Sequence, residues 1–152
     1  MKKIVVFSLA LFLFFLGRAG AETYAHQRGK VILIDQCNQE GKAYENGKLI
    51  FSFPILGGDI ETPTGNGRYR VEKKIKNYYS KRYKVPMPYS LFFVFNDCSR
   101  KAIHEGDVPK RKKDRQEKWA THGCVHAEMP IMKKLYAWAD EKTTEVIVFG
   151  GD

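Results

Sequence analysis

From Leu49 onward every second residue is apolar: Leu49, Phe51, Phe53 and Ile55 alternate with Lys48, Ile50, Ser52 and Pro54. A period of two puts one set of side chains on one face of an extended chain, so this stretch reads as a half-buried strand. Asn46-Gly47 stands just before it. Both residues tolerate positive φ, so a tight hairpin turn is the expected entry. Other segments repeat the theme. Val31 to Asp35 reads as a strand, followed by a polar turn over Gln36 to Lys42 with Asn38 and Gly41 as turn residues. Gly57-Gly58 ends the alternating strand, and Thr62-Pro63-Thr64-Gly65-Asn66-Gly67 is a run of breakers. Tyr69 and Val71 alternate with Arg68, Arg70 and Glu72. Leu91 to Phe95 is a continuous apolar run between Pro88 and Asn96-Asp97, the mark of a fully buried strand. Lys101 to His104 fits a short strand and Val146 to Phe149 a last buried one. The period changes once: after Pro130, Ile131, Leu135, Trp138 and Ala139 follow at helical spacing, and Thr143-Thr144 ends the run. Six or seven strands and one helix in the C-terminal half make a mainly β domain, a sandwich or barrel. The 152 residues leave room for one such domain.

The first 21 residues have a different character. Lys2 and Lys3 precede an apolar run from Ile4 to Leu16 broken only by Ser8, and Gly17-Arg18-Ala19-Gly20-Ala21 follows. This is the pattern of a secretory signal peptide, with cleavage expected between Ala21 and Glu22. The run is too short to span a bilayer unaided, and no Cys follows the site to take a lipid, so no stable membrane anchor is expected after cleavage. The folded domain is then residues 22–152. Losing Lys2, Lys3 and Arg18 and no acid takes the net charge from +9 to +6. A basic exported protein points to an anionic partner outside the cytoplasm, such as carboxylate-rich wall peptide, and away from nucleic acid.

Three cysteines remain: Cys37, Cys98 and Cys124. An odd number in an exported chain leaves one thiol or three outside any disulfide. Cys124 has the most suggestive surroundings. Thr121-His122-Gly123-Cys124-Val125-His126 flanks it with two histidines, and His104 lies 20 residues upstream. Thiol nucleophiles act as thiolates, and an imidazole supplies one by taking the proton. Gly123 has no Cβ to block a substrate carbonyl, and backbone N–H groups in such a turn stabilise an oxyanion. Two other readings of the same residues stand beside this one. Cys124 fits a buried structural thiol or disulfide partner, and His104, His122, Cys124 and His126 fit a zinc site.

These residues carry a resemblance. Ile103-His104-Glu105-Gly106 followed by Thr121-His122-Gly123-Cys124-Val125 resembles the signature of the L,D-transpeptidase catalytic domain of the YkuD type. Further motifs agree in order along most of the mature chain. Tyr44 to Leu49 resembles the family's early hairpin, Gly57-Gly58 and Thr62-Pro63-Thr64-Gly65 its glycine and Thr-Pro-x-Gly turns, and Met87-Pro88-Tyr89 its groove-lining segment. The chain departs from the family at one place: His126 stands where the family usually has Arg. Arg offers a planar fork for a carboxylate that His does not.

The resemblance implies a β-sandwich or barrel and a peptidoglycan L,D-transpeptidase of the periplasm or cell wall, active in wall organisation and cell shape. Cys124 would be the nucleophile and His104 the general acid and base. His122 and Gly123 would lie in the oxyanion region, with Thr121 orienting a histidine. Met87, Tyr89 and His126 would bind substrate. No cofactor or metal is required. A diaminopimelate stem peptide would acylate Cys124 with release of D-alanine, and the acyl group would pass to an amine of a second stem peptide or of a protein anchored to the wall. Transfer to water would make the chain an L,D-carboxypeptidase, and loss of turnover would leave a peptidoglycan-binding member. The segment Lys110 to Lys118 holds six basic and two acidic residues. It reads as a solvated loop or as a collector of stem-peptide carboxylates. Tyr78, Tyr79, Tyr83 and Tyr89, interleaved with Lys81, Arg82 and Lys84, read as a rim of the groove. A disulfide between the loop residues Cys37 and Cys98 would leave Cys124 as the one thiol, and three free thiols are the other reading.

Overall fold

The computed structural model describes residues 28–110 and 120–151. The signal segment and Arg111 to Lys118 lie outside the described residues. The elements run β1 (Lys30–Asp35), β2 (Glu40–Glu45), β3 (Lys48–Pro54), β4 (Gly67–Arg70), β5 (Lys73–Ser80), β6 (Val85–Phe95), β7 (Arg100–Glu105), β8 (Val125–Ala127), α1 (Met129–Trp138) and β9 (Glu145–Phe149). The strands form one sheet in the order β3-β2-β1-β9-β4 and a second in the order β5-β6-β7-β8. Most neighbours are antiparallel; β1 with β9 and β7 with β8 are parallel.

The main core lies between the two sheets. Ile32, Ile34, Val146 and Val148 of the first face Leu91, Phe93, Ile103 and Val125 of the second, and α1 closes the layer with Met132 and Leu135. Each fully buried aliphatic or Phe side chain contributes about 1.5–3 kcal/mol. A smaller cluster on the other face of the second sheet joins Met87, Phe92 and Ala102, with Cys124 packed against it. That second face carries the site.

Asn46 and Gly47 take φ of 49° and 78°, the paired left-handed residues of a type I′ hairpin. Several expectations need correction. The turn after β1 ends at Gln39, and Gly41 lies inside β2. A Cβ at Gly41 would stand 2.4 Å from the Phe53 ring, so this glycine serves packing across the strands and not a turn. β5, rich in lysine and tyrosine, has too little apolar alternation to be read as a strand. β6 begins six residues before Leu91, through Pro86 and Pro88. Prolines fit there because β6 pairs with β7 only from Leu91 onward, so its first half is a sheet edge on that side. In α1 the buried residues are Met132 and Leu135, while Ile131 and Trp138 pack only partly.

Candidate active site

The parallel pairing of β7 with β8 builds the site. Ile103 stands opposite Val125 and His104 opposite His126. Ile103 and Val125 enter the core, so alternation turns Ala102, His104, Cys124 and His126 to the other face. The Ala102 N–H donates to the Cys124 thiol, which extends the register by one step and sets His104 diagonally from Cys124.

The turn before β8 is held from three sides. The Thr121 hydroxyl donates to the Cys124 carbonyl and accepts the Gly123 N–H at 3.2 Å. The Thr121 N–H donates to the Gly57 carbonyl at 2.9 Å, and the Thr62 hydroxyl donates to the Thr121 carbonyl at 2.9 Å. Gly58 pairs with Thr121 in a parallel bridge and donates its N–H to the Thr64 hydroxyl at 3.0 Å. Lys101 Nζ donates to the Pro63 and Thr64 carbonyls at 2.8 and 2.9 Å. The Gly57-Gly58 and Thr62–Gly65 segments thus form a platform under the turn. Gly123 takes φ of +94°, and a Cβ there would lie 3.3 Å from the Pro63 carbonyl oxygen. Both the angle and the space call for glycine.

His104 is 5% exposed. Its Nδ1 lies 2.6 Å from the Glu105 carbonyl oxygen. A carbonyl only accepts, so Nδ1 carries the proton and Nε2 is the basic nitrogen. Burial pushes the His104 pKa down to about 4, helped by the charge on His126 and opposed by the Glu105 carbonyl. At pH 7 the ring is therefore neutral and able to accept a proton. Burial pushes the Cys124 thiol above its ordinary value, against the Ala102 N–H and the Lys101 charge, which lower it.

A cleft of about 620 Å³ opens over Cys124. Met87 and Phe92 floor it, and Tyr78, Tyr83 and His122 line its walls. His122 is exposed and stacks on Tyr83 with ring centroids 4.8 Å apart. Lys81, Arg82, Arg100 and Lys101 give the cleft a positive character against the single acid Asp97.

Of the expected site residues Met87, His122 and Cys124 line this cleft, Thr121 and Gly123 belong to the turn that carries the thiol, and His104 is buried on the same sheet face as Cys124 without lining the cleft. Tyr89 and His126 do not line it. Tyr89 has φ of 54°, which breaks the strand alternation with Met87, and its ring packs against Tyr136 of α1. His126 lies edge-on to His104, over Gly106, where a Cβ would come within 2.6 Å of its ring. Thr121 holds the backbone of the turn, with no hydrogen bond to a histidine among the described residues. The groove rim holds Tyr78, Tyr79 and Tyr83 from the tyrosine cluster. No disulfide joins Cys37 and Cys98. Cys37 sits against Gly150 after the first sheet, whereas Cys98 lines the cleft in the β6–β7 turn. Among the described residues no group of three or more His, Cys, Asp or Glu is arranged to hold a metal, and His122 turns to Tyr83. Lys101, Arg100 and Cys98 were missed as cleft residues. Two consecutive basic residues opening a short strand look like ordinary solvated positions.

Residues 29–148 match the family model of the L,D-transpeptidase catalytic domain, YkuD. No curated protein matches the chain significantly. Among solved structures, the L,D-transpeptidase from Stackebrandtia nassauensis is 30% identical with a TM-score of 0.68, over 82% of this chain and 57% of that one. A Cys-to-Ser mutant of Enterococcus faecium L,D-transpeptidase is 24% identical with a TM-score of 0.70, over 80% and 50%. The catalytic domain of the E. faecium L,D-transpeptidase is 25% identical with a TM-score of 0.61, over 82% of this chain and 99% of that domain. The chain thus spans about half the length of the first two structures.

Proposed function

The chain belongs to the L,D-transpeptidase catalytic-domain family, and from that premise we propose that it is a cysteine-dependent acyltransferase acting on peptidoglycan stem peptides. The observation that carries this reading is the β7–β8 register: it sets a half-buried thiol and a neutral, tautomer-fixed imidazole on one face of the sheet at the edge of a basic cleft.

In the proposed reaction the Cys124 sulfur attacks the carbonyl between the diaminopimelate of a stem peptide and the D-alanine that follows. His104 Nε2 takes the thiol proton. Charge moves from sulfur to the carbonyl oxygen, and the N–H groups of His122 and Cys124 receive it, since the Gly123 N–H is engaged by Thr121. The C–N bond then breaks. His104 returns its proton to the departing D-alanine amine, and a thioester remains on Cys124. An amine of a second stem peptide attacks the thioester, loses a proton to His104 and leaves with the acyl group. His104 gives that proton to the Cys124 sulfur, which restores the starting state. A protein amine gives wall anchoring by the same steps, and water gives a carboxypeptidase. The basic cleft favours the carboxylates of the stem, and Met87 meets its apolar parts. This activity belongs in the periplasm or wall, which the signal pattern of residues 1–21 supports.

The test is incubation with a disaccharide-tetrapeptide ending in D-alanine, read by D-alanine release and intact mass. The wild-type protein gains the acyl mass, or a carbapenem adduct, and Cys124→Ala gains neither while keeping its fold. Turnover by Cys124→Ala defeats the nucleophile assignment. Wild-type binding without any adduct points instead to a peptidoglycan-binding member.

A further inference from the structure

One cation is built into this site and is absent from the reaction as written. Lys101 reaches from β7 beneath the turn that carries the thiol. A Cβ on Gly123 would lie 3.5 Å from its Cε, and its Nζ is fixed on the Pro63 and Thr64 carbonyls at 2.8 and 2.9 Å. Two of its three N–H donors are thus spent on neutral acceptors. Among the described residues no carboxylate forms an ion pair with it. Lys101 and Cys124 line the same cleft. The other charged groups there are otherwise engaged: Arg100 donates to the Tyr78 hydroxyl at 2.9 Å and Arg82 stacks over Tyr83. Lys81 lies out on the β5–β6 tip and Asp97 in the β6–β7 turn. His104 is neutral at rest and His122 is drawn to Tyr83.

A thiolate formed at a half-buried site lacks the water that would stabilise it, so a fixed positive charge nearby matters more than it would at the surface. A clamp between two turns needs only a hydrogen-bond donor. A lysine with no acid partner supplies charge as well. We propose that Lys101 is a positioning residue for the nucleophile, its ammonium pinned beneath Gly123 as the standing countercharge of the Cys124 thiolate. The proposal rests on Cys124 being the nucleophile.

The experiment follows alkylation of Cys124 by iodoacetamide against pH, quantified on the Cys124 peptide by mass spectrometry, so that Cys37 and Cys98 do not interfere. Three variants separate charge from clamp. Lys101→Met keeps the apolar stem, Lys101→Gln keeps an amide donor without charge, and Lys101→Arg keeps the charge. Loss of the charge should move the alkylation midpoint to higher pH. Near neutrality the rate should fall about tenfold, the equivalent of one pKa unit, with the limiting rate at high pH retained. Lys101→Arg should stay close to wild type. If Lys101→Met fails to fold, Lys101→Gln carries the comparison. A profile in either uncharged variant that superimposes on wild type overturns the proposal. So does a fall in the limiting rate with an unmoved midpoint, which marks Lys101 as a clamp alone. Failure of the nucleophile reading looks different: Cys124→Ala would then release D-alanine like wild type, whatever Lys101 does.

Discussion

The imidazole of His126 stands edge-on to that of His104, with ring centroids 4.6 Å apart and planes at 63°. The two residues are direct partners across the parallel β7–β8 pair. A proton on one ring therefore repels a proton on the other, and each ring shields the other from water. His126→Gln removes the repulsion and part of the shielding, and both changes let His104 protonate at higher pH. The acid limb of kcat/KM for D-alanine release should move upward in pH. An unmoved limb, or one shifted down, would show that the pair does not tune the base.

Stability should follow the same group. His104 binds a proton near pH 6.5 when unfolded and near pH 4 when folded. Between those values the unfolded chain holds more protons, so stability rises with pH. The contribution is fully present above about 6.5 and is lost as the pH falls toward 4, with a size of about 3 kcal/mol. Burial lowers the His126 pKa too, so it adds in the same direction. Urea midpoints measured from pH 4 to 7.5 should climb, and His104→Gln should flatten the climb. Equal slopes in wild type and variant would contradict the assignment.

General-base loss should be large. His104→Ala is expected to slow acylation by at least ~100-fold, the usual scale for removing acid–base help. His126→Ala should cost less, since its ring acts on the reaction only through the His104 ring it stands against. Stopped-flow acylation by a carbapenem compares them. A greater loss from His126→Ala would exchange their roles.

The platform under the turn makes a steric prediction. A Cβ at Gly58 would stand 2.1 Å from the Thr62 carbonyl oxygen and 2.9 Å from the Thr64 nitrogen, both backbone atoms. Gly58→Ala must displace the Thr62–Gly65 turn and, with it, the Thr62–Thr121 hydrogen bond. About 1–3 kcal/mol of stability should be lost, along with much of the acylation rate. At Gly57 the nearest atom to an added Cβ is a hydroxyl at 3.5 Å, so Gly57→Ala should cost clearly less. Thermal melts of the two variants decide it, and equal losses would refute the steric account.

What the sequence made legible divides by physical cause. The runs Leu91 to Phe95 and Val146 to Phe149 announced their strands because Leu91 to Phe93 and Val146 to Val148 are buried on both faces, which leaves an unbroken apolar signature, although Phe95 and Phe149 at their ends are exposed. β5 did not, because an edge strand needs little apolar alternation and this one carries lysines. The early part of β6 was hidden by Pro86 and Pro88, which read as breakers unless one knows that β7 does not pair with this stretch and leaves one side of it an edge. The His104 and Cys124 motifs were visible as residue types, but their placement on one face depends on a parallel pairing between segments twenty residues apart. Tyr89 misled because its positive φ reverses the direction that alternation with Met87 suggests. Lys101 was invisible as a site residue because its partners, the Pro63 and Thr64 carbonyls, are backbone atoms distant in the chain.

β9 lies between β1 and β4 and is parallel to β1. An interior strand of the first sheet is therefore the last of the described strands to be synthesised. Until Glu145 to Phe149 emerge, β1 and β4 have no neighbour on their facing sides, and the apolar row of Ile32 and Ile34 has only part of its cover. Long-range pairing of this kind is slow to form. A nascent chain of this topology therefore keeps its first sheet open until β9 has emerged, long after the β1–β2–β3 meander is made.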